Sequence, residues 1–272
     1  MDSTFDLNIL PVKENPARKK LKRPIHPHLP DISTGQVGML ISPIKSGKST
    51  LISNLLLNPN FYKDLFDNVY IISNTINQDD TSRFLRKQFP STIYDNVEDM
   101  DSIIGDIINT QSQFTKKEMP FIAIILDDFL GVKPGSKVFQ LASRSRHYNI
   151  GLLLFASQLL RAVPSVVRAN STFALMGGPQ PNQKELIKAS EEFGSRYGGE
   201  MNYFKLYNKA TENPYSFLYL DLQSNPSIAY KNFGEIIYKG NRELSKDLLM
   251  KNNVNIRKTE DETLYDDDDE NN

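Results

Sequence analysis

Between Ser42 and Thr50 the chain reads Ser42-Pro43-Ile44-Lys45-Ser46-Gly47-Lys48-Ser49-Thr50, the order G-x-x-x-x-G-K-[ST] with serine in place of the first glycine. Such a run holds a chain of phosphates. Its backbone N–H groups, together with the positive end of a following helix, surround an anion, while Lys48 reaches the terminal phosphates and the Ser49 hydroxyl ligates Mg²⁺. The run predicts ATP and Mg²⁺ as ligands. Gly47, where the backbone comes nearest to phosphate, is kept; Ser42 gives up the widest backbone freedom at the start of the loop.

Two further groups of residues match that chemistry. Asp127 and Asp128 close the apolar run Phe121-Ile122-Ala123-Ile124-Ile125-Leu126. Carboxylates at the C-terminal end of a buried strand lie where α/β sheets place their ligand. Asp127 is then expected to hold the Mg²⁺ shell through water, and Asp128 to orient and polarise the attacking water. Gln158 follows a second apolar run, 151–156, so its amide arrives at the same edge of the sheet, within reach of the γ-phosphate or the water. Arg144 and Arg146 precede that run and fall at its opposite end. From there an arginine more naturally serves a neighbouring subunit's nucleotide; a surface arginine beside a turn is the plainer alternative for either one.

The elements that must position these side chains follow a strand–helix alternation. Val37-Gly38-Met39-Leu40-Ile41 predicts a strand into the phosphate loop, and 49–57 a helix out of it, stopped by Asn58-Pro59. Residues 68–73 predict a second buried strand; helical spacing marks 81–89 and 101–114, and 121–128 and 151–156 read as central strands. A helix is expected over 182–194 and a strand over 217–222. The fold class implied is α/β, a three-layer arrangement with a mainly parallel central sheet and helices on both faces. Tyr197, Tyr203, Phe204, Tyr207 and Tyr215, interleaved with Arg196, Lys205 and Lys209, read as core aromatics in preference to a nucleic-acid surface.

The 272 residues suit one ATPase domain, 31–250, flanked by an extended, basic, proline-rich arm at 1–30 and a disordered acidic tail at 251–272. The arm carries five prolines and the cluster Arg18-Lys19-Lys20-Leu21-Lys22-Arg23, readable as a localisation signal, a DNA contact or a solvated tether. Cysteine is absent, which excludes disulfides and cysteine-based zinc sites, and His26, His28 and His147 are too scattered for a metal cluster. No apolar stretch approaches the length of a membrane span. Eight of the 33 acids fall within residues 260–270, leaving 32 bases against 25 acids elsewhere. A basic body with an acidic tail is an asymmetry suited to a polyanion partner.

The phosphate loop at 42–50, the hydrophobic-Asp-Asp strand at 122–128, the stretch Arg146 to Gln158 and Val167-Arg168-Ala169-Asn170 together resemble the FtsK-HerA superfamily of P-loop, RecA/ASCE-like ATPases. Within it, the Asp-Asp pair and Arg146-His147-Tyr148-Asn149-Ile150 before the strand are similar to the poxvirus-type genome-packaging ATPases of large DNA viruses and virophages. That resemblance implies an ATP hydrolase that moves double-stranded DNA into a preformed capsid as a homo-oligomeric ring, a pentamer or hexamer. It further implies capsid portal proteins as partners, and the host cytoplasm at the site of viral assembly, or the virion, as its location. It places Lys48 and Ser49 on phosphate and metal, Asp127 and Asp128 at metal and water, Gln158 as sensor and Arg146 as the finger. Two alternatives stay open: another P-loop enzyme, a helicase or nucleotide kinase, and a nucleotide- or DNA-binding structural protein without turnover.

Overall fold

A computed structural model describes residues 20–240. The first nineteen residues of the arm and the whole of the acidic tail lie outside the described residues. The chain alternates strand and helix from the start: β1 (Gln36–Ile41), α1 (Lys48–Leu57), β2 (Asn68–Ile72), α2 (Arg83–Gln88), β3 (Ile93–Tyr94), α3 (Met100–Ser112) and β4 (Ile122–Leu126). It continues through α4 (Lys137–Arg144), β5 (Ile150–Ser157), α5 (Ser165–Asn170) and β6 (Phe173–Gly177). Helices α6 (Gln183–Phe193) and α7 (Glu200–Ala210) then precede β7 (Phe217–Asp221), β8 (Ile228–Lys231) and β9 (Glu235–Lys239).

All nine strands join one sheet in the order β3-β2-β4-β5-β1-β6-β7-β8-β9. From β3 to β6 every pairing is parallel, and β7, β8 and β9 extend the sheet as an antiparallel meander. β5 lies between the loop strand β1 and the carboxylate strand β4.

The parallel strands are covered on both faces, and their side chains divide between two cores by simple alternation. Met39 and Ile41, Ile124 and Leu126, and Leu153 and Phe155 face one core with α3, α4, α5, α6 and α7. Leu40, Ala123 and Ile125, and Leu152 and Leu154 face the other with α1 and α2. The structure is therefore the three-layer α/β fold expected. Helix 81–89 divides into a 3-10 turn, Asp80–Ser82, and the shorter α2, because the Asp79 carboxylate caps the turn through the Thr81 amide at 2.9 Å.

The described end of the arm, from Lys20 to Pro30, packs on the body. Arg23 Nη2 donates to the carbonyls of Phe61 (2.7 Å) and Lys63 (3.1 Å), and Lys22 pairs with Asp67 at 3.3 Å. The Tyr62 hydroxyl donates to the Pro30 carbonyl at 2.9 Å, and His28 Nδ1 bonds the Phe233 carbonyl at the same distance. This half of the basic cluster serves as a structural anchor.

Candidate active site

The phosphate loop is built by the exit of β1. Ile41 pairs in register with Ser157 at the tip of β5, and the Ser42 amide donates to the Ser157 carbonyl at 2.9 Å. Lys45 (φ 60°) and Gly47 (φ 94°) adopt left-handed backbone, which turns residues 43–47 back over the start of α1. Ser42 does not need positive φ. Instead its hydroxyl bonds that of Ser46, which donates to the Pro43 carbonyl at 2.5 Å, so the serine knits the loop together from inside. Space for that hydroxyl comes from Gly177 at the end of the neighbouring β6, where a Cβ would lie 2.0 Å from Ser42 Oγ. Lys48 Nζ donates to the Ser42 and Pro43 carbonyls at 3.2 and 3.4 Å, which holds the ammonium inside the loop's curve.

The carboxylates meet this loop across β5. The Asp127 amide donates to Ile72 of β2 and the Phe129 amide to Ala156 of β5, both at 2.9 Å. Between these attachments to opposite neighbours, Asp128 takes φ 50°, a conformation aspartate tolerates better than most residues, and its carboxylate lifts clear of the sheet. Asp127 is buried. Its Oδ2 accepts from Ser73 Oγ at 3.3 Å, while Oδ1 has no hydrogen-bond partner. Burial first, then the adjoining Asp128 charge, raises the Asp127 carboxyl from 3.8 to about 6, against the opposing pull of the Asp128 amide, Lys48 and Ser73. A buried carboxylate oxygen without a partner is costly unless a cation completes it. The residues present fit Mg²⁺, with Asp127 and Ser49 as the groups to hold it.

Four residues that the sequence alone does not single out complete this rim. The Thr75 hydroxyl, just past β2, donates to Asp128 Oδ2, and Ser73 holds Asp127, so the exit of β2 braces both acids. Asp79 lies against the loop helix. Burial alone raises its carboxyl, but hydrogen bonds from Ser49, Thr81 and Ser82 outweigh that effect and lower it. Glu185, buried on α6, accepts from the Leu160 amide at 2.9 Å and pairs with Arg161 at 3.3 Å, which fixes the turn directly after Gln158. Ser73, Thr75 and Asp79 sit in aperiodic chain, and the only clue to them was that a second parallel strand would end beside the Asp-Asp pair.

No protein-family model matches the sequence, and no curated protein matches it. Solved structures do. The DNA-packaging ATPase B204 of Sulfolobus Turreted Icosahedral Virus is 17% identical, with a TM-score of 0.51 over 72% of this chain and 97% of that one. The genome packaging NTPase B204 of Sulfolobus turreted icosahedral virus 2, in complex with ATP-gammaS, is 18% identical with the same TM-score and coverage. The fold is therefore the one these B204 proteins have. The B204 complex with AMP, at 19% identity and a TM-score of 0.51, has that fold as well.

In this fold, Lys48, Ser49, Asp127, Asp128 and Gln158 come to one edge, the C-terminal ends of β1, β4 and β5. Gln158 is half-buried one residue beyond the Ile41–Ser157 pairing. Arg146 does not join them. It is exposed at the N-terminal end of β5, its side chain against Gly35, and Arg144 is exposed on the same side. Arg168 is spoken for within the fold: it donates to the Val163 carbonyl at 2.6 Å and pairs with Glu192 at 3.1 Å. Of the aromatic group, Tyr197, Tyr203 and Tyr207 are core, and Tyr215 is exposed. Among the described residues, no helix is long and apolar enough to cross a membrane.

Proposed function

We propose that this protein is a Mg²⁺-dependent ATPase that translocates double-stranded DNA and packages a viral genome into a preformed capsid. The observation that carries the reading is the meeting of Lys48, Asp127, Asp128 and Gln158 at one rim, where the buried Asp127 Oδ1 has no hydrogen-bond partner. The packaging function of the B204 proteins, whose fold this chain shares, gives the reading its substrate.

The loop amides and Lys48 bind the β- and γ-phosphates and counter the charge that develops as the terminal phosphoryl group leaves. Asp128, lifted off the sheet and braced by Thr75, orients the attacking water and takes its proton. Gln158 hydrogen-bonds the γ-phosphate or that water. Ser49 and Asp127 would hold Mg²⁺, which would neutralise phosphate charge when bound. Arg146, on the opposite edge, completes the site of the next subunit in a homo-oligomeric ring, at the assembly site in the host cytoplasm.

The test is release of inorganic phosphate by size-fractionated protein, with and without duplex DNA. DNA-stimulated release from an oligomeric fraction is expected, and Lys48→Ala should abolish it with the thermal transition intact. A cleanly purified, active Lys48→Ala protein overturns the site. Turnover indifferent to DNA overturns the translocase.

A further inference from the structure

Resting on the nucleotide reading above, we propose that the cavity beside the phosphate loop receives the nucleobase and ribose, and that the docked N-terminal segment is one of its walls. The cavity measures about 480 Å³, within the range of roughly 300–1,000 Å³ typical of small-molecule sites. Gly47 and Thr50 both line it. Lys48 and Ser49 lie between them, so a triphosphate held by the loop leads its nucleoside end directly into this space.

The walls are of the kind that takes a flat heterocycle. Phe233 and Phe61 stand edge to face with centroids 5.7 Å apart, and Phe217 backs Phe233 at 5.1 Å. Tyr215 forms the side nearest the loop: a Cβ on Gly47 would lie 3.2 Å from its ring. It is 72% exposed and has φ 63°, a conformation that is strained for a bulky residue. The packing of the fold gives no return for an exposed ring held in that way; stacking on a base does.

The remaining wall is His26 and Leu29. His26 Nδ1 accepts from the His28 amide at 3.2 Å, so the neutral ring carries its hydrogen on Nε2 as a donor. Asn232 Oδ1 accepts from the Phe217 amide at 3.1 Å, which leaves the Asn232 NH₂ as a second donor at the cavity. Donors around an apolar slot suit the ring nitrogens of a base. A bound nucleoside therefore touches the segment that leads into the arm, and nucleotide occupancy should tighten that segment on the body.

The test compares two ligands on the full-length protein by titration calorimetry: ATP, which has a nucleoside, and inorganic tripolyphosphate, which has none. His26 and Tyr215 are both exposed, so their truncation spares the core. Tyr215→Ala is expected to weaken ATP roughly tenfold, and His26→Ala by a smaller factor, with tripolyphosphate affinity unchanged in both. Independently of any variant, ATP should slow tryptic cleavage after Lys20 and Lys22 while tripolyphosphate does not. Equal losses for the two ligands, no loss for either, or equal protection from trypsin overturns the cavity assignment. Failure of the phosphate-loop reading looks different: Lys48→Ala would then leave the affinity of both ligands unchanged.

Discussion

Asp127 keeps an ionisable group where little water reaches it, and the direction of the resulting pH dependence follows. Its carboxyl, raised in the fold from 3.8 to about 6, favours the protonated form. That preference stabilises the fold fully below about pH 3.8 and is lost as pH rises through about 6. In metal-free protein at pH 7.5 the buried charge then costs at most about 3 kcal/mol. Asp127→Asn should accordingly melt higher than the parent at pH 7.5 in chelator, with the difference vanishing by pH 4. A variant that melts no higher at pH 7.5 would show that other groups already compensate the carboxylate. Thr75 gives a second prediction. Its hydroxyl bonds Asp128 and lies outside the phosphate loop, so Thr75→Val should lower kcat about tenfold, a part of what a positioned base supplies, and leave the Kd for ATP unchanged. An equal fall in affinity would place Thr75 on the nucleotide instead. At this scale the sequence was readable where a residue type has one chemical use, as with Gly47-Lys48-Ser49. Thr75 and Asp79 were not readable, because a threonine or aspartate in a polar loop acquires its role from the strand it happens to adjoin.

The same limit appears one level up, in how elements support one another. Ser42 departs from glycine, and the departure is balanced across the sheet by Gly177, whose absent side chain makes room for the Ser42 hydroxyl. Gly177→Ala alone should destabilise the protein by about 1–3 kcal/mol through overpacking. Combined with Ser42→Gly, most of that loss should return, and denaturant unfolding of the four proteins of the cycle measures the coupling. Strictly additive effects would mean that the two positions do not share the space. Strands β1, β4 and β5 were legible because burial on both faces demands unbroken apolar runs. β3 has two residues, and β8 and β9 are half-exposed with a register shift at Ala229, so none carries a clean period. β6 is buried, but it follows α5 without a turn signal strong enough to mark it.

For the whole molecule, the position of Arg146 decides what kind of assembly the site requires. The strands put Lys48 and Asp127 on one edge of the sheet and Arg146 on the other, so no rearrangement short of unfolding brings them together within one chain. If Arg146 acts on nucleotide, it acts on a neighbour's, and head-to-tail contacts of that type form a ring where the rotation between subunits closes. Two inactive variants then contain complementary halves. An Arg146→Ala subunit keeps a whole phosphate site but has no arginine to offer, and a Lys48→Ala subunit keeps the arginine but cannot use ATP. In a ring assembled at random from equal amounts, roughly a quarter of the interfaces join an intact site to an intact arginine. Phosphate release should therefore reappear on mixing, peak near equal proportions and require reassembly of the oligomer. Mixing Lys48→Ala with the double variant Lys48→Ala/Arg146→Ala should restore nothing, since neither subunit has a site to complete. Activity that stays absent at every ratio, although mixed rings form, would remove Arg146 from the chemistry and leave it a surface residue beside a turn.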